Sequence, residues 1–355
     1  MIVLAVIAAI AAWGLRERWL HPQFHWREFA DSFVDLRWRW IIASFFLGLG
    51  TYYGRALRWA VMLRPLKPEP DTWGIFKATA IGFAAVTLLG RPGEFVRPYL
   101  ISVKERVSFS SQLAVWVLER LCDMLAVLLV FGFAVSQIRT SSANLGPAFR
   151  WVLQTGGYVV AVLGVACLVI LIMMGRFSDT MQRRLVSALQ VLPKRHHERA
   201  ERMIAAFMDG TASTKSHRSA LKLTLYTMFE WTLIVLCLSF LFRGYKATEG
   251  FTIHDVLIFV GFVAFGSVLQ IPGVGGGVQL VSILVLTQLY GISLEVATSQ
   301  AIMIWIITFA EIVPIGLALA CHEGINWRKL KNLEGCAAAM GSPVEGSDPV
   351  EGIEG

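Results

Sequence analysis

The sequence predicts an all-α polytopic membrane bundle, with about six full spans plus two re-entrant or broken helical hairpins arranged as an inverted repeat. Three observations predict it. Of the 355 residues 55% are hydrophobic and only 16% charged, with a mean hydropathy of +0.60, a profile that argues against an ordinary soluble domain. The apolar stretches approach the ~20 residues that cross a bilayer. Two of them break at Pro-Gly, at corresponding places in two halves of the chain.

Residues 1–15 form an apolar run closed by Arg16 with no basic region ahead of it, which reads as a retained first transmembrane helix rather than a cleaved signal. Residues 16–40 interleave Trp19, Phe24, Trp26, Phe29, Trp38 and Trp40 with charges. This reads as an amphipathic segment in the interface, or as a polar loop. The span 40–63 carries Arg55 and Arg58 in its second half, where long arginine side chains are expected to snorkel toward the surface. The next segment, 72–89, runs into Thr87-Leu-Leu-Gly-Arg-Pro-Gly-Glu-Phe-Val-Arg97. Proline removes a backbone donor and glycine loosens the helix, so the break at Pro92-Gly93 leaves backbone groups free beside Arg91, Glu94 and Arg97. In lipid such a break must line a wet cavity or be buried in protein; otherwise it is a turn outside the membrane.

The helix over 111–135 holds Glu119, Arg120 and Asp123 about 12 to 18 Å into a core about 30 Å thick. Each ionised group there costs roughly 2.5–3.5 kcal/mol. Glu119 and Asp123 share a face, and pairing with Arg120 offsets part of that cost. The arrangement is a functional site or a buried ion-pair knot that fixes helix packing. Residues 151–175 carry no charge and read as a structural span. Between 176 and 222 ten Lys or Arg face four Asp or Glu, which marks a cytoplasmic linker; its His196-His197-Glu198 reads as a solvated face rather than a metal site. The span 221–242 carries Glu230 near mid-depth. Residues 251–271 then break in Gln270-Ile-Pro-Gly-Val-Gly-Gly-Gly-Val-Gln279, with Pro272, Gly273, Gly275, Gly276 and Gly277 in the break and a second apolar arm over 280–290. No βαβ context supports a dinucleotide fingerprint there. The last span, 299–321, holds Glu311 at mid-depth with Pro314 close behind, and residues 332–355 read as a disordered acidic tail.

The two breaks align: Gly82-Phe83-x-Ala85, Leu89 and Pro92-Gly93 match Gly261-Phe262-x-Ala264, Leu269 and Pro272-Gly273 with one inserted residue. The membrane domain, 1–331, therefore divides into repeat 1 (about 40–135) and repeat 2 (about 221–321), joined by the linker. Three crossings between the hairpins make them enter from opposite faces, as in many secondary transporters. The same count puts the basic segment 16–40 outside, against its charge. The five cysteines are scattered without ligand spacing, so no metal or cofactor is expected.

Taken together, Gly54-Arg-Ala-Leu-Arg-Trp59, Arg91-Pro-Gly-Glu-x-x-Arg-Pro98, Glu119-Arg-x-x-Asp123 and the Pro-Gly-x-Gly-Gly-Gly loop resemble the lysylphosphatidylglycerol synthase transmembrane region, a flippase-like family, over roughly residues 40–320. The resemblance implies movement of lipids between leaflets: aminoacylated phosphatidylglycerol in two-part members, polyprenyl-phosphate-linked or hopanoid-related lipids in stand-alone ones. Gln279 departs from the glutamate many members carry after the glycine loop. The 34 residues after Cys321 are too few for the synthase part of two-part members.

The expectation is an inner-membrane lipid translocase of a bacterial or archaeal cell, with a cytoplasmic C-terminus. Arg91, Arg97 and Arg120 would contact phosphate. Glu119, Asp123, Glu230 and Glu311 would balance those charges or bind a cation, and Glu94, Gln270 and Gln279 would line the cavity. Partners would be anionic phospholipid or polyprenyl-phosphate lipid, with self-association compatible and no nucleic acid. No catalytic motif is found, so an enzyme is not expected; the alternatives are an intramembrane lipid-modifying enzyme and a non-transporting partner of a glycan or lipid assembly complex.

Overall fold

The computed structural model describes residues 24–137, 162–170, 205–206, 209–210, 217–266, 270–271 and 275–324. The expected first helix, most of 151–175, most of the basic linker and the acidic tail lie outside the described residues. The helices are α1 (Trp26–Val34), α2 (Trp38–Leu63), α3 (Thr72–Leu89), α4 (Val96–Glu105), α5 (Phe109–Gln137), α6 (His217–Gly244), α7 (Ile253–Gly266), α8 (Gly277–Gln288), α9 (Leu294–Trp305) and α10 (Ile312–His322). Residues 162–170 are also helical. Among the described residues the bundle is all-α apart from a two-residue antiparallel pairing of Gln270–Ile271 with Gly275–Gly276. Thr72–Leu89, Arg218–Gly244 and Leu294–His322 are long and apolar enough to cross a membrane by length and composition. The last of these begins at Leu294 rather than Ser299, and α6 begins at His217, inside the stretch read as linker.

The first Pro-Gly segment folds the chain back. Asp71 starts α3 by accepting from the Trp73 N–H at 3.0 Å. Gly90 ends it at φ 72°, and a 3-10 turn over Arg91–Phe95 leads into α4, which packs back along α3. The reversal is thus made at Gly90, not at Pro92-Gly93. Pro92 sits in the first turn, where its missing N–H costs nothing. Gly93 lies against the backbone of Ala85 and Val86, and Gly82 against Arg97, so the two arms almost touch. At 10 residues α4 is about 15 Å long, half a bilayer core.

The arms α7 and α8, of 14 and 12 residues, pack together and are each too short to span. Gly276, at φ 110°, donates its N–H to Gln279 Oε1 at 2.6 Å, so Gln279 caps α8. Pro272 and Gly273 lie outside the described residues.

Two ends organise the molecule. At one, α1 docks on α9, Ser293 donates to Glu28 at 2.7 Å, Arg37 N–H donates to Gly244 O, and Tyr290 O–H donates to Asp255 O beside the start of α7. At the other, Lys67 pairs with Glu105 at 2.6 Å, and Glu323 pairs with Lys77 at 2.8 Å and with Lys104. The hairpin α3–α4 opens at the Glu323 end, and α7–α8 at the α1 end. Between them α2 and α6 run antiparallel: Gly244 meets Ile41, Gly50 meets Leu233, Gly54 meets Phe229, and Ser44 Oγ donates to Cys237 O at 2.7 Å. Packing in one half recurs in the other. As α3 lies on α10, α7 lies on α5; as α4 lies on α5, α8 lies on α9. Each half keeps its own apolar core, one around Trp59 and Ile81, the other around Phe242 and Phe259.

Burial opposes ionisation of Glu323, but the hydrogen bonds and charges of Lys104 and Lys77 outweigh it and hold the carboxyl below the usual carboxylate range. Its tie is therefore fully present above about pH 4.3 and is lost as pH falls through the lowered folded value. Glu323→Gln is expected to cost ~0.5–1 kcal/mol at neutral pH and nothing in strong acid, read as detergent-phase melting against pH.

Candidate functional site: a buried ionic cluster

Four helices bring charge to one place. From α2, Arg58 is fully buried, its Nη1 2.5 Å from Asp123 Oδ1 and 3.2 Å from Glu230 Oε2, its Nη2 2.9 Å from Glu119 Oε1. One turn earlier, Arg55 reaches Glu230 Oε1 at 2.9 Å. From α4, Arg97 Nη1 donates to both Glu119 oxygens at 2.9 and 3.2 Å, while its guanidinium stacks 4.1 Å over the Trp59 ring. Gly82 opposite lets α4 approach closely enough for this reach. On α5, Arg120 approaches Glu119 at 3.3 Å and Asp123 at 3.4 Å from the rim, with 42% of its side chain exposed. Glu119 and Glu230 are fully buried.

Among the described residues four guanidinium groups thus meet three carboxylates, a surplus of one positive charge. Arg55 Nη1, Arg58 Nε and Arg97 Nε are buried without a hydrogen-bond acceptor among the described residues, and both Glu230 oxygens, although in ion-pair contact with Arg55 and Arg58, accept no aligned hydrogen bond there either. Such donors are costly unless something accepts from them.

Glu311 stands apart. It is 5% exposed, follows a π-helical turn over Ile306–Ala310, and points its carboxylate into the space a side chain at Gly48 would take. Pro314 cannot donate to the carbonyl four residues back, which accounts for the wide turn.

Of the residues the sequence singled out, Arg97, Glu119, Arg120, Asp123 and Glu230 come together. Arg91 and Glu94 do not: they pair locally at 3.0 Å, Arg91 being mostly exposed, because the 3-10 turn sets them three apart on one surface. Gln279 caps α8 instead of facing the cluster, and Gln270 contributes backbone pairing. Arg58, the hub, was misread as snorkelling, and Arg55 with it. Their i,i+3 spacing among apolar neighbours carries no partner information by itself. At the α1 end His25, Glu28 and Glu295 bring ligand atoms within 4.8 Å of one another, two of the three residues being exposed.

The family model described as lysylphosphatidylglycerol synthase TM region matches residues 1–316. The chain belongs to that family. The match reaches back to residue 1, beyond the stretch from 40 onward on which the motifs rest, and so takes in α1 and the segment before it. This member of the family is a multi-pass membrane protein whose cluster lies inside the matched region. No curated protein and no solved structure matches the chain.

Proposed function

We propose that the protein is a lipid translocase, not an enzyme, and that the arginine-rich cluster receives the phosphate of an anionic phospholipid or polyprenyl-phosphate lipid as its headgroup crosses. The observation that carries this is the surplus of guanidinium groups over carboxylates, supplied by Arg120 at the rim beside Asp123, together with buried arginine donors that lack an acceptor among the described residues. A phosphate accepts several charge-assisted hydrogen bonds and supplies the missing negative charge. Glu119 and Asp123 are clamped by arginines, which leaves neither poised as a general acid.

An inverted repeat accounts for the packing. Corresponding helices α2 and α6 lie antiparallel, and exchanging the halves preserves the neighbours of each hairpin. A two-fold axis relating antiparallel partners lies in the membrane plane, so α3–α4 and α7–α8 enter from opposite faces. The Glu323 end, with Arg64, Lys67, Lys104, Arg106, Arg218 and Lys222 against Glu69, Asp71, Glu105 and Glu323, is then cytoplasmic, and the C-terminus with it. The α1 end balances its arginines with Glu28, Asp31, Asp35, Glu249, Asp255 and Glu295, which removes the objection to placing 24–40 outside. Cysteines introduced at Glu69 and Lys246 are expected to label from inside and outside respectively; labelling of both from one side overturns this topology.

The deciding experiment reconstitutes the protein in liposomes with labelled phospholipid and polyprenyl-phosphate lipid, scoring leaflet exchange and covalent change together. Exchange without a new product is expected; a new product makes the protein an enzyme, and neither overturns both readings. Arg120→Gln is expected to slow exchange about 10- to 100-fold, the worth of one charged hydrogen bond of ~1.5–3 kcal/mol, with little change in melting because Arg120 lies at the rim.

A further inference from the structure

Glu311 has neither a donor nor a counter-charge among the described residues: both carboxylate oxygens are buried without a hydrogen-bond partner. Its neighbours are committed elsewhere. On α2, Tyr52 gives its O–H to Thr308 O at 2.7 Å, and Arg55 is held by Glu230. On α6, Cys237 is engaged with Ser44, its Sγ 3.3 Å from Ser44 O. On α3, Thr87 donates to Phe83 O at 3.1 Å and to Phe309 O at 3.3 Å. The hydroxyls of Tyr52, Thr87 and Thr308 near the π turn are therefore each directed at a backbone carbonyl. An isolated carboxylate in such a place is neutralised by whatever positive charge reaches it.

The local backbone is shaped for this. The Glu311 N–H donates to Ile306 O, five residues back, at 2.8 Å, and Pro314 denies Ala310 O its usual helical donor. The Ile307 carbonyl lies beside Gly48 together with the Glu311 carboxylate, which takes the space that the missing side chain leaves. Gly48, Tyr52 and Arg55 occupy one face of α2, so the carboxylate lies about 10 Å along the helix from the arginine cluster.

We propose that Glu311 is the binding site of one monovalent cation, a proton or a sodium ion, whose uptake and release accompany headgroup movement. The coupling rests on the translocase reading; the cation site itself does not. Carboxyl infrared difference spectra of the full chain in nanodiscs, taken on changing pH at fixed sodium and sodium at fixed pH, test the site without any lipid transport. The glutamate carboxyl signal present in the parent and missing from Glu311→Gln identifies the proton if it responds to pH alone, and sodium if it responds to sodium at fixed pH; bands of the other glutamates, Glu323 among them, cancel in that difference. Glutamate-selective isotope labelling of the parent assigns the band to a glutamate even if that variant folds poorly. No responsive glutamate band that distinguishes the parent from a folded Glu311→Gln overturns the site. In liposomes, exchange by the parent should change at least threefold on imposing a gradient of the identified cation, and that of Glu311→Gln should not. Exchange indifferent to the gradient in the parent overturns the coupling, whereas no exchange at all with an intact infrared response overturns the translocase reading and leaves the cation site standing.

Discussion

Arg58→Met is expected to destabilise the protein by about 3–5 kcal/mol and to abolish lipid exchange, because it strands Glu119, Asp123 and Glu230 together in the bundle. The size of the effect comes from what is left behind. Arg97 and Arg55 still touch Glu119 and Glu230, but Asp123 would keep only the rim contact with Arg120 at 3.4 Å and the distant Arg55 at 3.8 Å. Adding Asp123→Asn to Arg58→Met should therefore recover part of the stability without recovering exchange. Arg120→Ala is the informative comparison, since the sequence suggests it as the partner of both acids while the geometry puts it at the rim. Melting in detergent decides the order: a loss for Arg120→Ala equal to that for Arg58→Met would mean that the hub is misassigned.

Gly93→Ala is expected to cost about 1–3 kcal/mol and to disorder the first hairpin, by overpacking alone. A methyl group there would meet the carbonyl and nitrogen of the Ala85–Val86 peptide at 2.5 Å, and backbone inside a helix cannot rotate away as a side chain can. The consequence extends to the cluster, since Arg97 reaches Glu119 only while α4 lies against α3. Gly250→Ala, with nothing within 4 Å, is the control and should melt with the parent. If the two variants melt together, the hairpin arms are not in the contact described.

The parts of this fold that could be read in advance are those fixed by local chemistry. The limits of α3 follow from Asp71 at its start and Gly90 at its end, and the break after it follows from proline and glycine. Glu119 and Asp123 announced themselves because a carboxylate in an apolar helix needs a partner wherever the helix sits. The partner itself was not legible. Arg58 on an isolated α2 has two outcomes, surface or interior, and only the packing of α5 and α6 against α2 selects the second. Arg91 differs for the opposite reason: its neighbour Glu94 pairs with it within the same turn, so proximity to the break says nothing about the cluster. The π turn before Glu311 was signalled only by Pro314, which says that a helix deforms but not toward what.

The hub of the cluster also dictates something about how the protein must be made. Arg58 precedes its neighbour Thr227 by 169 positions, and Glu230 comes later still. At 5–20 residues per second, α2 leaves the ribosome roughly 10 to 30 s before the helix that completes its charge pairing. During that interval the insertion machinery first holds a segment with two uncompensated arginines; α5 then brings Glu119 and Asp123 to Arg58, and the close partner of Arg55 arrives only with Glu230. Nascent chains truncated before α6 should therefore remain associated with the translocon or its chaperones, and release into the bilayer should wait for Glu230.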